Sequence, residues 1–258
     1  MTTDSTPLPA AGWYPSPDGS GRQAWWDGAQ WQLDRVPEAA PAAPVLPPAP
    51  DPSIPRLALA AQVLLLVTGA VYLATIAVEL FGISAVTRYL GGDASASPLL
   101  TTYDQFTLVV SILGLLVLIA TAVVWVVWQF RVARQLPGLT RRSAGWHAGS
   151  WFIPVVSLFF PYQNVSDLWR AIGLTRPSWL IVWWLLWVVG NAVLQISARV
   201  YQFAQSLDVY LVSMTIGVVG DILMLAAAPL AVLVVRGITR GLLARPAASA
   251  FTPVQPVA

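Results

Sequence analysis

The stretch GWHAGSWFIPVVSLFFPYQNVSDLWRA, residues 145–171, is apolar and aromatic, but Pro154 and Pro161 interrupt it. The apolar runs that remain are much shorter than the ~20 residues that a helix needs to cross a bilayer. Residues 164–167, Asn-Val-Ser-Asp, resemble a capping box, and the apolar residues after it have helical spacing. We therefore expect residues 146–174 to form a re-entrant or interfacial segment that ends in an amphipathic helix over residues 165–174.

The composition indicates that lipid surrounds much of the chain. Of its 258 residues, 57% are hydrophobic and 10% are charged, whereas soluble domains have about 25% charged residues. The absence of cysteine excludes disulfides, thiolate metal sites and cysteine nucleophiles. The sequence shows no Gly-rich phosphate loop and no metal-ligand or paired-carboxylate motif. We therefore expect no cofactor, no metal and no enzymatic activity.

Four long apolar segments lie on either side of residues 146–174. Each is long enough to cross the hydrocarbon core as a helix, and the predicted spans are residues 57–78, 106–128, 179–198 and 209–235. Residues 80–105 and 199–208 are predicted loops. The fold class that follows is an all-α polytopic membrane protein, whose helical membrane domain covers residues 56–240.

The arginines distinguish four crossings from five. If residues 146–174 do not cross, ten arginines share one side, and only Arg88 and Arg199 lie on the other. A fifth crossing would divide the same residues equally between the two sides. Because basic residues concentrate on the cytoplasmic side, we predict four spans in a bacterial plasma membrane, with both termini in the cytoplasm. The ten are Arg56, Arg131, Arg134, Arg141, Arg142, Arg170, Arg176, Arg236, Arg240 and Arg245.

Residues 12–36 are predicted to form a small aromatic β-hairpin module. Asp27-Gly28 is typical of a two-residue type I′ turn. The aromatic side chains either form the core of the module or provide a face that binds a peptide, as in a WW domain, since so small a sheet cannot bury both faces. They are Trp13, Tyr14, Trp25, Trp26 and Trp31.

The remaining parts of the chain have the composition of linkers and tails. Residues 37–55 are rich in proline, which predicts a semi-rigid linker of polyproline type. Residues 1–11 and 241–258 are predicted to be disordered.

Asp221 is the main candidate for a functional polar residue within the membrane, because an ionisable side chain near the bilayer centre is costly and is often functional. In an antiparallel pair of the last two spans, Asn191 or Gln195 would donate a hydrogen bond to it. Asp221 is then either a structural contact or a group that handles ions or protons. The first span carries a polar stripe that should face other helices: Thr68, Tyr72, Thr75 and Glu79.

Basic and nucleophilic residues outside the spans have simpler interpretations. Four arginines that follow the second span would anchor it and contact anionic lipid headgroups; they are Arg131, Arg134, Arg141 and Arg142. Because the arginines follow membrane edges, we expect no nucleic-acid partner. His147 and Ser150 could meet on one helical turn, but no orienting acid accompanies them, so a serine hydrolase is not expected.

Two parts of the sequence resemble known families. Residues 12–31, GWYPSPDGSGRQAWWDGAQW, resemble a short bacterial domain of unknown function with a GWYPDP…WDGxxW signature, from which Ser16 departs. Residues 57–240 resemble the bacterial membrane family called domain of unknown function 4328, on the basis of SWFIPVVSLFFPYQNVSDLWRA and VWWLLW. The resemblance implies a membrane architecture and carries no activity, substrate or catalytic residues.

These observations support two function classes. The first is a non-enzymatic membrane scaffold or regulatory or sensory subunit, whose aromatic module binds a cytoplasmic protein partner. The alternative is a small transporter or channel component that uses Asp221, as a homo-oligomer, because four spans are few for a monomeric transporter.

Overall fold

The computed structural model describes residues 9–20, 22–34 and 51–245, which belong to two compact units. The predicted linker, residues 37–55, lies outside the described residues as far as residue 50, as does the predicted disorder of residues 1–8 and 246–258. The end of the linker prediction was wrong, because a helix begins at Ser53 and its first turn tolerates Pro55. The N-terminal unit contains a three-stranded antiparallel sheet in the order β1–β2–β3. Its strands are β1 (Gly12–Pro15), β2 (Gln23–Trp26) and β3 (Trp31–Gln32). The predicted small β module is therefore confirmed.

One face of this sheet forms a very small core. Trp26 and Ala24 are buried there, and the ring of Trp26 packs against Trp31 with centroids 5.3 Å apart. The preceding chain, which was predicted to be disordered through residue 11, contacts this face. Trp26 Nε1 donates a hydrogen bond to the Pro9 carbonyl at 3.0 Å, and the Tyr14 hydroxyl donates one to the Ala10 carbonyl at 3.0 Å. The core interpretation therefore fits Tyr14, Trp26 and Trp31.

The turn between β2 and β3 differs from the prediction. Four residues, Asp27 to Gln30, connect the strands instead of two. A type I′ turn requires positive φ at both central residues. Gly28 has φ of 104°, but Val155 is the only described residue other than glycine with positive φ. Asp27 Oδ1 instead accepts hydrogen bonds from the backbone amides of Ala29 and Gln30, both at 2.8 Å, and this Asx-type arrangement produces the longer loop.

The second unit contains the four predicted membrane-spanning helices. They are α1 (Ser53–Leu90), α2 (Ser97–Arg134), α5 (Trp179–Gln202) and α6 (Leu207–Leu243). Each has the length and apolar composition to cross a membrane. The end at which α1 and α5 begin and α2 and α6 end is the arginine-rich end.

The helices are longer than the predicted spans, and the loops are shorter. Of the loop predicted for residues 80–105, only Gly91 to Asp93 and a 3-10 turn, Ala94–Ala96, separate α1 from α2. The loop predicted for residues 199–208 is reduced to residues 203–206. The predicted helix ends were wrong because an uncharged run of sequence marks only the part of a helix that lies within the hydrocarbon. Helical hydrogen bonding continues past it, and α6 reaches Leu243, inside the predicted tail.

Small residues allow the spanning helices to pack closely. The α6 helix packs along both α1 and α5, and α1 also packs along α2. Gly69 of α1 lies against Ala228 of α6, and Gly82 of α1 lies against Tyr103 and Met214. Gly220 of α6 lies against Leu194 of α5.

Between α2 and α5 lies a segment that contains two short helices, α3 (Ala144–Gly149) and α4 (Phe160–Ala171). We call residues 144–171 the capping segment. Neither helix is among the four that could cross a membrane. The turn between them exposes apolar side chains, and Val155 within it has φ of 65°. The most exposed are Phe152, Val155 and Phe159.

The α4 helix begins four residues before the predicted capping box, at Phe160 instead of Asn164. Pro161 lies in its first turn, a position where the missing amide hydrogen costs nothing. Asn164 binds Ser150, and Asp167 binds Arg141 and Arg170, so neither side chain caps the helix. The prediction of a capping box was therefore wrong, although an amphipathic helix is present.

Gly237 of α6 provides the first testable prediction, because the indole of Trp169 from α4 lies directly over it. A Cβ at this position would overlap the indole. We expect Gly237→Ala to lower the free energy of unfolding by about 1–3 kcal/mol, as overpacking does. Gly114→Ala on α2 is the matched control, because its Cβ would lie 3.4 Å from Val71 Cγ1, an ordinary contact. Thermal unfolding in detergent measures both, and equal effects would contradict this packing.

Candidate functional site

A cluster of tryptophans joins the helices at the arginine-rich end. The rings lie with neighbouring centroids 5.0–6.0 Å apart. Trp128 is completely buried, and its Nε1 donates a hydrogen bond to Thr239 Oγ1 of α6 at 3.1 Å. The Trp cluster comprises Trp125 and Trp128 of α2, Trp151 of the capping segment, and Trp183, Trp184 and Trp187 of α5.

Asp167 of α4 is buried with two arginines as partners. Arg141 Nε donates hydrogen bonds to both carboxylate oxygens, at 2.8 and 3.0 Å, and Arg170 donates to Oδ1 at 2.8 Å. Asp167 is 4% exposed, whereas both arginine side chains are more than half exposed. Interaction with Asp167 raises the pKa of Arg141 above its ordinary value. The two exposed guanidinium groups therefore compensate the charge on the buried carboxylate.

A second set of polar contacts connects α3 and α4. Asn164 Nδ2 donates hydrogen bonds to the Trp146 carbonyl at 3.0 Å and to Ser150 Oγ at 3.1 Å. Arg142 donates to Asn164 Oδ1 at 3.3 Å and to Gln163 Oε1 at 2.6 Å. Its guanidinium carbon lies 3.7 Å from the Phe160 ring centroid, a cation–π contact.

These contacts change the interpretation of the four arginines that were predicted to contact lipid. Arg131 pairs with Asp51 at 3.1 Å, and Arg141 and Arg142 bind the capping segment as described above. Arg134 lies over the Phe130 ring. Contact with anionic lipid stays a prediction, and Arg134 has no anionic partner among the described residues.

His147 lies inside the capping segment and is completely buried. Neither ring nitrogen has a hydrogen-bond partner within the described residues. Burial lowers the pKa of His147 from 6.5 to about 4; the charge of Asp167 opposes this shift, and that of Arg142 adds to it. Ser150 Oγ accepts its hydrogen bond from Asn164, and His147 forms none with Ser150. The two residues are near each other along the chain but do not form a nucleophile–base pair.

Within the spanning helices, the structure places Asp221 next to α1 and not next to α5. Asp221 is 6% exposed and interacts electrostatically with Glu79 and Tyr72 of α1. The predicted hydrogen bond from α5 was wrong: Asn191 Nδ2 donates to the Trp187 carbonyl at 2.8 Å, and Gln195 is exposed. The reason is helical rotation, because Gly220 and Met224 face α5 and leave Asp221 on the α1 side of α6.

The polar stripe on α1 contacts both neighbouring helices. Thr68 Oγ1 lies 3.1 Å from Thr121 Oγ1 of α2. The Tyr103 hydroxyl, also from α2, lies 3.2 Å from each Glu79 carboxylate oxygen and can donate to either, and the Tyr210 hydroxyl donates to Tyr103 at 3.2 Å. Hydrogen bonds therefore connect Tyr210, near the beginning of α6, through the Tyr103 hydroxyl to the Glu79 carboxylate.

Sequence reasoning missed most of the polar contacts of the capping segment. Only the i, i+3 spacing of Asp167 and Arg170 predicts one of them. The contacts of Arg141 with Asp167 and of Asn164 with Ser150 depend on how the segment folds back, which no local pattern reports. Among the described residues, no group of three or more His, Cys, Asp or Glu could hold a metal ion.

The fold and these sites define a multi-pass membrane protein with four membrane-spanning helices and a capping segment between the second and third. Residues 93–240, just over half of the chain, match the sequence model of the family described as domain of unknown function (DUF4328). The chain belongs to this family. Neither the curated proteins nor the solved structures contain a match to the chain.

The buried His147 predicts that stability depends on pH. The unfolded chain binds a proton at the ordinary pKa of 6.5, whereas the folded chain binds it only near 4. Acidification below 6.5 therefore favours unfolding, by up to about 1.4 kcal/mol per pH unit. His147 is the only histidine, so His147→Leu should remove this slope above pH 5 and be nearly neutral at pH 7, because the lost nitrogens are unpaired. Unfolding midpoints measured from about pH 7.5 to about pH 5, a range that spans the ordinary pKa of histidine, test this, and an unchanged slope in His147→Leu would contradict it.

Proposed function

We propose that the protein is a non-enzymatic membrane scaffold or regulatory or sensory subunit whose N-terminal module binds a protein partner. One observation carries the proposal. Two tryptophans, Trp13 and Trp25, lie opposite each other on the sheet face away from Trp26, with ring centroids 5.4 Å apart in an edge-to-face arrangement. Both are half-buried. The module thus has an aromatic face besides the one that forms its core.

The chemistry of this face favours an extended, proline-containing peptide as the ligand. Aromatic rings that line a surface bind polyproline segments, which are already extended and lose little entropy on binding. The resemblance of residues 12–31 to the short GWYPDP…WDGxxW domain supports treating the module as a unit of its own. The five aromatic residues then divide into two roles: Tyr14, Trp26 and Trp31 stabilise the sheet, and Trp13 and Trp25 bind the peptide.

The distribution of the arginines supports a cytoplasmic position for both termini. The arginine-rich end faces the cytoplasm of a bacterial cell by the positive-inside rule, which places both termini and the module in that compartment. The capping segment then lies at the inner surface of the plasma membrane. There its exposed Phe152, Val155 and Phe159 enter the interfacial region, and Arg134 contacts anionic headgroups.

Photo-crosslinking in living cells tests the partner-binding role with the complete chain. A photoreactive amino acid at Gln23, which has the same strand parity as Trp25 and is exposed, should crosslink a cytoplasmic protein through a proline-containing segment. Trp13→Ala should weaken this crosslink at least tenfold, because central tryptophans commonly contribute 2 kcal/mol or more to binding. The same amino acid at Gln30, exposed in the turn, is the matched control. Equal products from both positions, or a product that survives Trp13→Ala, would contradict the role.

A second candidate, a small transporter or channel component that acts as a homo-oligomer, is favoured by the placement of Asp221 beside Glu79 at membrane depth. Flux in proteoliposomes tests it directly. Loss of transport in Asp221→Asn would support this candidate. An unchanged flux in both Asp221→Asn and Glu79→Gln would rule it out.

A further inference from the structure

The sheet face away from Trp26, which we call the outer face, extends beyond the pair of tryptophans. Directly paired residues of antiparallel strands lie on the same face, and so do alternate residues along one strand. Pro15 pairs with Gln23, and Gln32 pairs with Trp25. The outer face therefore has an aromatic centre with exposed neighbours on both sides. It consists of Trp13, Pro15, Gln23, Trp25 and Gln32.

The strand beside Trp25 leads directly into the proline-rich part of the chain. The β3 strand ends at Gln32, and the first proline of the linker follows at position 37. Pro41 lies seven residues after Asp34, a length that spans at most about 25 Å when extended. Trp13 lies two strands away from β3, which is about 10 Å at the usual strand spacing. The chain that follows the module is therefore long enough to return to the outer face.

The prolines of the linker have the period of a polyproline II helix. Their sequence, which lies outside the described residues, places four prolines at intervals of three: Pro41, Pro44, Pro47 and Pro50. A polyproline II helix has about three residues per turn, so prolines at this interval share one side of it. Aromatic-lined grooves recognise this PxxP spacing. The linker sequence thus matches the ligand chemistry of the outer face, independently of the geometry of the sheet.

We propose that residues 41–46 bind the outer face of their own module, with Pro41 and Pro44 against the rings of Trp13 and Trp25. This contact rests on the ligand chemistry proposed above for these rings, but it does not require a partner protein. A segment on a short tether has an effective concentration of about millimolar, so a weak intrinsic affinity is enough for it to occupy the face. The same segment from a second copy of the chain lacks this advantage.

The contact regulates access to the tryptophans. A protein partner competes with residues 41–46 for the same surface. The partner must therefore contribute a proline-containing segment that binds more tightly than residues 41–46 do at their effective concentration. Proteins with weakly binding proline-rich segments are excluded, and the linker sets the affinity that a partner must exceed.

Disulfide formation within the purified full-length chain tests the contact, because the chain has no cysteine of its own. Cysteines replace Gln23 on the outer face and Ala43 between the two prolines. The control pair has its first cysteine at Gln30, in the turn between β2 and β3. Gln30 is closer to Ala43 along the chain, so an unbound linker would close the control pair faster. We expect the pair at positions 23 and 43 to close at least about tenfold faster than the control pair, because binding raises the local concentration of the two thiols.

Substitutions in the linker test the prolines without altering the sheet. Pro41→Ala combined with Pro44→Ala should slow the disulfide between positions 23 and 43 to the rate of the control pair or below it. Pro48→Ala, which lies outside residues 41–46 and outside the three-residue interval, should leave the rate unchanged. A control pair that closes as fast would overturn the contact, as would a rate that ignores the loss of both prolines. A disulfide that joins two chains would overturn it too, because the segment would then bind a second copy.

Photo-crosslinking from position 23 in living cells separates this contact from the partner-binding role. Pro41→Ala combined with Pro44→Ala should increase the partner product at least about twofold, because the competing segment no longer occupies the face. An unchanged partner product would overturn the competition. If the disulfide forms and no partner is crosslinked, the partner-binding role fails and the contact stands. If the disulfide does not form and Trp13→Ala removes a partner product, the contact fails and the partner-binding role stands.

Discussion

Burial of the Asp167 carboxylate constrains the whole arginine-rich end of the membrane unit. A carboxylate that is 4% exposed would cost several kcal/mol without a positive partner. Arg170 of α4 provides one positive partner, and Arg141, from the chain that follows α2, provides the other and thereby joins α4 to that chain. Two residues after Asp167, Trp169 packs over Gly237 of α6. The α4 helix is thus stabilised by an ion pair with Arg141 and by the packing of Trp169 on Gly237. These contacts connect the chain that follows α2 with α6.

This arrangement explains how the polar side chains of the capping segment can lie against apolar helices. Its buried side chains include apolar ones such as Val165 and Leu168. Polar ones have hydrogen-bond partners, such as Trp151 with Gln129 at 2.8 Å and Asn164 with Ser150 at 3.1 Å. The arginines extend to the surface and keep their charges in contact with water, in the way that long basic side chains do at membrane interfaces. His147 differs from this pattern, because its nitrogens are buried without partners among the described residues.

How far the sequence could predict this structure depends on the range of each interaction. The four spans were predictable because each is a long apolar run with at most one charged residue, and Pro154 and Pro161 interrupt the stretch between the second and third. The ends of α1 and α2 were not, because helical hydrogen bonds extend beyond the apolar residues. The neighbour of Asp221 was also missed, since a rotation of α6 by a fraction of a turn decides whether it faces α5 or α1. Sequence spacing alone does not reveal how the two buried aspartates differ. Asp167 forms ion pairs with two arginines, whereas Asp221 interacts electrostatically with the acidic Glu79.

We expect four helices to cross the membrane and the capping segment to return to the side from which it came. The chain has no cysteine, so single cysteines can be labelled without a background. Ser178 precedes α5 and Ser206 precedes α6, and both are exposed. With an impermeant maleimide on intact cells, only Ser206→Cys should react, while Ser5→Cys and Ser178→Cys should react only after the membrane is opened. Labelling of Ser178→Cys in intact cells would show that the capping segment crosses and would contradict the account.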